Sequence, residues 1–222
     1  MLAEQIDKQL ALIYMGARGR DASELMPLVD ECADRLAEAV FPRYIYRLFP
    51  ISRTPEGIAV EGTGLVLRGS SIADHLEGCE SCVLLCATLS AGADTLIRQL
   101  SAYDMASSFV TDCLASAAVE TVCDEAEREM AERLPDKFMT WRFSPGYGDL
   151  PLESQWRILS VLDAPKRIGL NVTESMMLVP SKSVTAVIGV SDREVSREKR
   201  GCTGCAMYKD CTFRKGGGHC GI

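Results

Sequence analysis

The run Val83-Leu84-Leu85-Cys86-Ala87-Thr88-Leu89 holds a single hydroxyl among otherwise apolar side chains. Side chains of a β-strand alternate between faces, so a run without alternation needs apolar cover on both sides. It predicts a buried central strand in a layered domain, and a chain of 222 residues has the material for those layers.

The flanking segments supply them. Residues 4–15 and 22–41 carry apolar side chains at helical spacing. In the second, Leu25, Leu28, Cys32, Leu36 and Val40 form one stripe, with Ser23 as cap and Pro42 as stop. Residues 43–51 read as a strand, followed by shorter strands at 58–60 and 65–67 across the turn Glu61-Gly62-Thr63-Gly64, and a short helix at 72–76. Helices are expected at 91–102 and 104–134, the longer one turning Met105, Phe109, Cys113, Val119, Cys123, Ala126 and Met130 to the core. A strand at 137–143, an irregular loop at 144–151, a helix at 152–162 and strands at 176–179 and 183–190 complete the pattern. Helices and strands follow one another without steady alternation, which predicts an α+β fold with a mixed or antiparallel central sheet packed with helices. After Ser191 the composition turns to charged residues, then to glycine and cysteine. A globular domain is therefore placed at 1–191 and a short cysteine-rich tail at 192–222.

Charge narrows the partners. With 24 basic and 31 acidic side chains the net charge is −7. Phosphate backbones and anionic lipid surfaces repel such a chain, so neither nucleic acid nor membrane is expected. No apolar run approaches the ~20 residues of a membrane span. The N-terminus lacks the basic and apolar regions of a signal peptide, so the expected location is cytoplasmic.

Ten cysteines are many for a chain of that location. Four of them, Cys202, Cys205, Cys211 and Cys220, cluster at the end, where disulfides are not expected without export. A C-x2-C pair sets two sulfurs on one turn, and the nearby glycines let the backbone wrap a metal. An iron–sulfur cluster tolerates this irregular spacing, whereas structural zinc usually has a second close-set pair; His219 can replace one ligand in either. Free or redox-active thiols are the third reading. The trio Cys79, Cys82 and Cys86 also has ligand-like spacing, but it enters the apolar strand, where a cysteine serves as a small hydrophobe.

The loop Arg142-Phe143-Ser144-Pro145-Gly146-Tyr147-Gly148-Asp149-Leu150-Pro151 is the other candidate. Arg142 can grip a carboxylate with both arms of its guanidinium, and Tyr147 can stack on a flat ring. A tight strand-to-helix connection uses the same residue types, so the loop alone has both a functional and a purely structural reading.

Arg142-x-Ser144-Pro145-Gly146-Tyr147, followed by a helix, Thr173-Glu174-Ser175 and Pro180-x-x-Ser183-Val184, resembles the reactivation domain of cobalamin-dependent methionine synthase. The resemblance spans about 80–190 and is sharpest over 140–185. It implies S-adenosylmethionine as a ligand, with Arg142 on its carboxylate and the Ser144 backbone and Gly146 lining its site. Tyr147, beside the cobalamin face, is the implied catalytic residue. Glu120, on the long helix, is a candidate for the ligand's positive charge. The implied reaction returns an oxidised, inactive cobalt to methylcobalamin by one-electron reduction and methyl transfer. A cobalamin module would carry Asp-x-His-x-x-Gly, but His75 and His219 follow Ala73 and Gly217 at that spacing. The cobalamin is therefore expected on a partner, a methionine synthase or other corrinoid protein.

Three functions remain open. A stand-alone reactivation protein would take an electron from a donor and pass it through a cluster on the tail cysteines, since such centres reach about −700 mV. A non-catalytic docking module would hold a corrinoid protein open and tie its tail with zinc. A methyltransferase for another corrinoid or thiol substrate would use Cys202 or Cys205 as a reactive group. Glu174 and Lys182 read as surface or turn residues.

Overall fold

The computed structural model describes residues 2–17, 22–195 and 209. In chain order the elements are α1 (Leu2–Gln5), α2 (Lys8–Tyr14), α3 (Met26–Ala39), β1 (Arg43–Thr54), β2 (Gly57–Val60), β3 (Leu65–Leu67), α4 (Ser70–His75) and β4 (Ser81–Thr88). Then come α5 (Ala91–Ser101), α6 (Met105–Arg133), β5 (Phe138–Met139), α7 (Ser154–Leu162), α8 (Ala164–Ile168), β6 (Asn171–Val172), β7 (Leu178–Val179) and β8 (Ser183–Ser191). The fold is α+β, and β4 is the buried strand its sequence demands: every residue after Ser81 is inaccessible.

The chain divides into two compact units interleaved along the sequence. The first comprises Met1–Arg47, Leu85–Pro135 and Gln155–Thr185 and is mainly helical. Helices α2, α3 and α5 all pack on α6. Covered from several sides, α6 buries small residues such as Ala115, Ala117 and Ala118 as well as Leu114 and Val122. Asp104 starts it, accepting from the Ser107 N–H at 3.0 Å and the Ser107 hydroxyl at 2.6 Å. The expected core positions Cys113, Val119, Cys123, Ala126 and Met130 are buried, but Met105 and Phe109 are not: they are 69% and 54% exposed. The buried face runs back from Cys113 through Val110 and Ser107, leaving Phe109 and Met105 on the far side.

Two helix starts also differ from the sequence reading. The first segment breaks in two because Asp7 caps α2, accepting from the Leu10 N–H at 2.9 Å. Helix α3 begins at Met26, not after Ser23: Ala22 to Leu25 close a turn, and Pro27, lacking an N–H, occupies the first helical turn. The added elements are α8 and β6; β7 falls within the strand expected at 176–179, and the two form a hairpin in which Asn171 pairs Val179 and Val172 pairs Leu178. Segments of two residues carry no readable periodicity.

The second unit comprises Leu48–Leu84, Asp136–Ser154 and Ala186–Ile222. It holds most of a six-stranded sheet of order β3-β2-β1-β4-β8-β5. β1–β2, β2–β3 and β5–β8 are antiparallel. Contacts at the strand ends give the other two pairs the same sense. Phe41 donates to Leu89 and Ile51 to Glu80, while Leu89 donates to Lys182 and the Ser191 hydroxyl to Gly78. Among the described residues no helix is long and apolar enough to cross a membrane.

Gly92 tests the packing of the helical unit. A Cβ there would collide with the Ala39 carbonyl at the end of α3. Helix propensity alone favours alanine over glycine by ~1 kcal/mol. Because the clash is with backbone, Gly92→Ala is expected to destabilise the protein by about 1–3 kcal/mol instead, measured by urea denaturation.

Candidate functional site

The site begins with a count of residues on two paired strands. Met139 pairs with Val190, and Phe143 exchanges hydrogen bonds with Val187 at 2.9 and 2.8 Å. Four steps on one strand therefore face three on the other. The extra residue makes a β-bulge at Trp141–Arg142, opposite Ile188. This is why the strand expected over 137–143 is regular only at Phe138–Met139. The Thr140 side chain repairs the ladder, its hydroxyl accepting from the Gly189 N–H at 2.7 Å. Gly189 has to be small: a Cβ would meet Cys79 Sγ at 2.6 Å and Leu76 and Thr140 at 3.0 Å.

Past the bulge the chain closes on itself. Tyr147 N–H donates to Ser144 C=O at 3.0 Å, Leu150 N–H to Tyr147 C=O at 3.0 Å, and Gly146 N–H to Leu150 C=O at 2.9 Å. These turns bring Arg142, Ser144, Gly146 and Tyr147 together within ten residues of the second unit. They consume the Gly146 N–H and leave the Ser144 N–H and Gly146 C=O outside the turns. Pro145 is buried, whereas Tyr147 is 37% exposed.

Two supports hold this loop. The first is Asp149, whose carboxylate accepts from Ser71 N–H at 2.8 Å, Ser70 N–H at 2.7 Å and the Ser70 hydroxyl at 2.9 Å. It thereby satisfies the first free donors of α4 from a distant part of the chain. These bonds, the Ser71 N–H foremost, hold its titration well below the usual carboxylate range. Gly148, at φ +54°, lets the loop come this close, because a side chain there would strike Ser71.

The second support is aromatic. His75 lies edge-on to Trp141 at 4.8 Å between ring centroids and 4.9 Å from Phe143. Phe143 stands 6.0 Å from Tyr147 in T-shaped contact, and Trp141 lies 6.5 Å from Tyr147 with the rings only 32° apart. Offset and edge contacts of this kind are the favoured arrangements of aromatic rings. His75 Nε2 is 2.8 Å from Thr140 Oγ1, so imidazole, bulge and loop form one connected group. Sequence reasoning missed His75, Thr140 and Trp141 as parts of this region, and gave Asp149, inside the candidate loop, no role of its own.

Glu120 belongs to the first unit, on α6. Asp112, Ser116 and Glu120 follow at intervals of four and share a face of that helix. Lys182 docks on the same face, donating to Asp112 C=O at 3.1 Å and the Ser116 hydroxyl at 2.9 Å, with Asp112 Oδ1 at 2.8 Å. Its side chain is only 14% exposed, so it is a structural cation rather than a surface residue. Ser181 and Ser183 complete the anchoring of Pro180-x-x-Ser183, to Asp94 and to Thr88 respectively. Glu174 is exposed in the β6–β7 turn, where Thr173 Oγ1 accepts from Met177 N–H.

Cys202, Cys205, Cys211, Cys220 and His219 lie outside the described residues. Among the described residues no three His, Cys, Asp or Glu side chains converge as a metal site. Burial pushes the Cys79 thiol up to about 11, with Glu80 adding to it, and the Cys82 thiol up to about 12; Cys86 is raised further by burial alone.

Residues 81–196, more than half of the 222, match a family model described as "Vitamin B12 dependent methionine synthase, activation domain". Among solved structures the chain is similar to the MetH reactivation domain bound to AdoHcy (S-adenosylhomocysteine). The TM-score is 0.68 and identity 16%, over 99% of this chain and 83% of that one. No functionally curated protein matches the chain.

Asp149 carries a pH-dependent prediction. A carboxylate whose titration is depressed by folding stabilises the fold fully above its unfolded value, about 3.9, and loses that effect as pH falls through the folded value. Asp149→Ala is expected to lower Tm at neutral pH. The gap to wild type should narrow below the unfolded carboxylate value, as followed by thermal denaturation across the acid range.

Proposed function

Because the chain belongs to the family of activation domains of vitamin B12-dependent methionine synthase, we propose that it reactivates a cobalamin-dependent methionine synthase, or a related corrinoid protein, held on a separate chain. The observation that carries this reading is the placement of Arg142 on a bulged strand immediately before a closed Ser-Pro-Gly-Tyr turn. The guanidinium offers two parallel donors to an amino-acid carboxylate, the recognition that S-adenosylmethionine requires at that end. We assign the Ser144 N–H and Gly146 C=O, which lie outside the loop's own turns, to the ligand's polar atoms.

Tyr147 presents its ring at the cobalamin face and limits water there. If bound there, S-adenosylmethionine would supply the methyl group to the partner's cobalamin after that group's one-electron reduction, its S–CH3 bond breaking to leave S-adenosylhomocysteine in the loop. Support for a partner-held cobalamin comes from the sequence, where neither His75 nor His219 stands in an Asp-x-His-x-x-Gly motif, and from His75 packing against Trp141 and Phe143 and hydrogen-bonding with Thr140.

The electron is assigned to an iron–sulfur cluster on Cys202, Cys205, Cys211 and Cys220, fed by an external donor. Their spacing and the suitability of a low-potential centre for reducing cobalt support this. Those residues define the proposed tail domain, 192–222, behind the globular 1–191. The location we propose is cytoplasmic, where thiols stay reduced.

Calorimetric titration with S-adenosylhomocysteine tests the ligand site. Binding to the full chain is expected, weakened about 10- to 100-fold in Arg142→Ala through loss of charge-assisted hydrogen bonds. Arg142→Lys, which keeps the charge but not the fork, should fall between. No binding to wild type would remove the ligand role.

Anaerobic purification tests the electron route. Iron and sulfide with a broad absorption band, lost in Cys202→Ala, are the expected result. A colourless protein holding one zinc would leave a non-catalytic docking module as the better reading.

A further inference from the structure

Trp141 and Tyr147 meet on the second unit with ring planes 32° apart and centroids 6.5 Å apart. Phe143 stands edge-on behind Tyr147, and His75 meets Trp141 edge to face. Trp141 is half-buried, and Tyr147 is 37% exposed. The indole N–H of Trp141 makes no hydrogen bond among the described residues. A tryptophan whose ring is braced while its single donor stays unused has the form of a binding contact, apolar on its face and polar at one edge. The bulge holds it there, two residues opposing Ile188 alone and Arg142 adjacent in the chain.

We propose that Trp141 is a second contact for the corrinoid, forming with Tyr147 an aromatic ledge for the flat macrocycle. The inference rests on the reading of the loop given above. A corrin ring is much wider than one phenol, so Tyr147 alone covers only part of it. The rim of a corrin carries amide side chains, whose carbonyl oxygens are acceptors for the indole N–H. A flat apolar surface edged with acceptors is what a braced indole with a free donor recognises.

The test is calorimetric titration of the full chain with methylcobalamin and, separately, with S-adenosylhomocysteine. Trp141→Leu is expected to weaken methylcobalamin binding about five- to tenfold, the scale of an aromatic contact. Trp141→Phe, which keeps a ring and removes the donor, should fall between. Trp156→Phe controls for the other tryptophan, which is 51% exposed on α7 with Arg157 over its ring. Binding of S-adenosylhomocysteine should be unchanged in Trp141→Phe, which keeps a ring in the aromatic support, and in Trp156→Phe, and should weaken less than that of methylcobalamin in Trp141→Leu. The ledge is overturned if Trp141→Leu binds methylcobalamin like wild type, or if both ligands weaken in parallel, which would mark a merely structural role. It is equally overturned if wild type binds S-adenosylhomocysteine but not methylcobalamin. A wild-type chain that binds neither removes the underlying reading of the loop, and this one with it.

Discussion

Residues 185–191 of β8 are inaccessible, so their backbone donors and acceptors have to find partners within the protein. Strand β4 answers on one side and the segment after α6 on the other. A buried N–H left unmatched costs about 1–3 kcal/mol, which is why the mismatch in length near Trp141 is resolved locally. Thr140 lends a hydroxyl to the Gly189 N–H, and the ladder resumes at Phe143. The price of keeping β8 satisfied is a bulge, and the bulge is what sets Trp141 and Arg142 opposite a single residue. The geometry of the candidate site is thus a consequence of hydrogen-bond accounting in the sheet.

A loop with two glycines and two prolines is not rigid by itself. Its order comes from groups far away in sequence. Asp149 reaches 79 and 78 residues back to Ser70 and Ser71, and His75 holds the aromatic side of the same loop. Both contacts lie on α4, whose start is capped by the loop and whose last residue packs against it. One short helix therefore braces the loop at two points. Ligand sites need such bracing, because side chains held only by a flexible turn lose much of their binding free energy to ordering.

The fold was legible where burial leaves a periodic mark. The run 83–89 gives β4, and the stripe through Cys113, Val119, Cys123, Ala126 and Met130 gives most of the buried face of α6. Met105 and Phe109 break the rule because large apolar side chains carry no label saying which flank of a helix end they occupy. In the hairpin at 171–179 the second strand falls within the one expected at 176–179, whereas Asn171–Val172 is too short for any period. At the site, Arg142, Ser144, Gly146 and Tyr147 could be named because they are consecutive and resemble a known motif. Asp149, Thr140 and His75 could not, since their roles are defined by contacts across the chain. Lys182, flanking a late strand, reads in the sequence as a surface or turn residue, and only the approach of Asp112 and Ser116 makes it structural.

The cysteines divide by the same physics of burial. Cys82, Cys86 and Cys123 are wholly buried, and the Cys32 thiol donates to the Ser107 carbonyl at 3.8 Å. Burial raises the Cys79, Cys82, Cys86 and Cys113 thiols, so at neutral pH they remain thiols and pack as small apolar groups. Metal binding and electron transfer need thiolates that can reach a metal. The cysteines of the globular region are therefore poor candidates for that chemistry, and ligand-like spacing within an apolar strand is no guide to it. Spacing is informative only where the surrounding residues do not require burial.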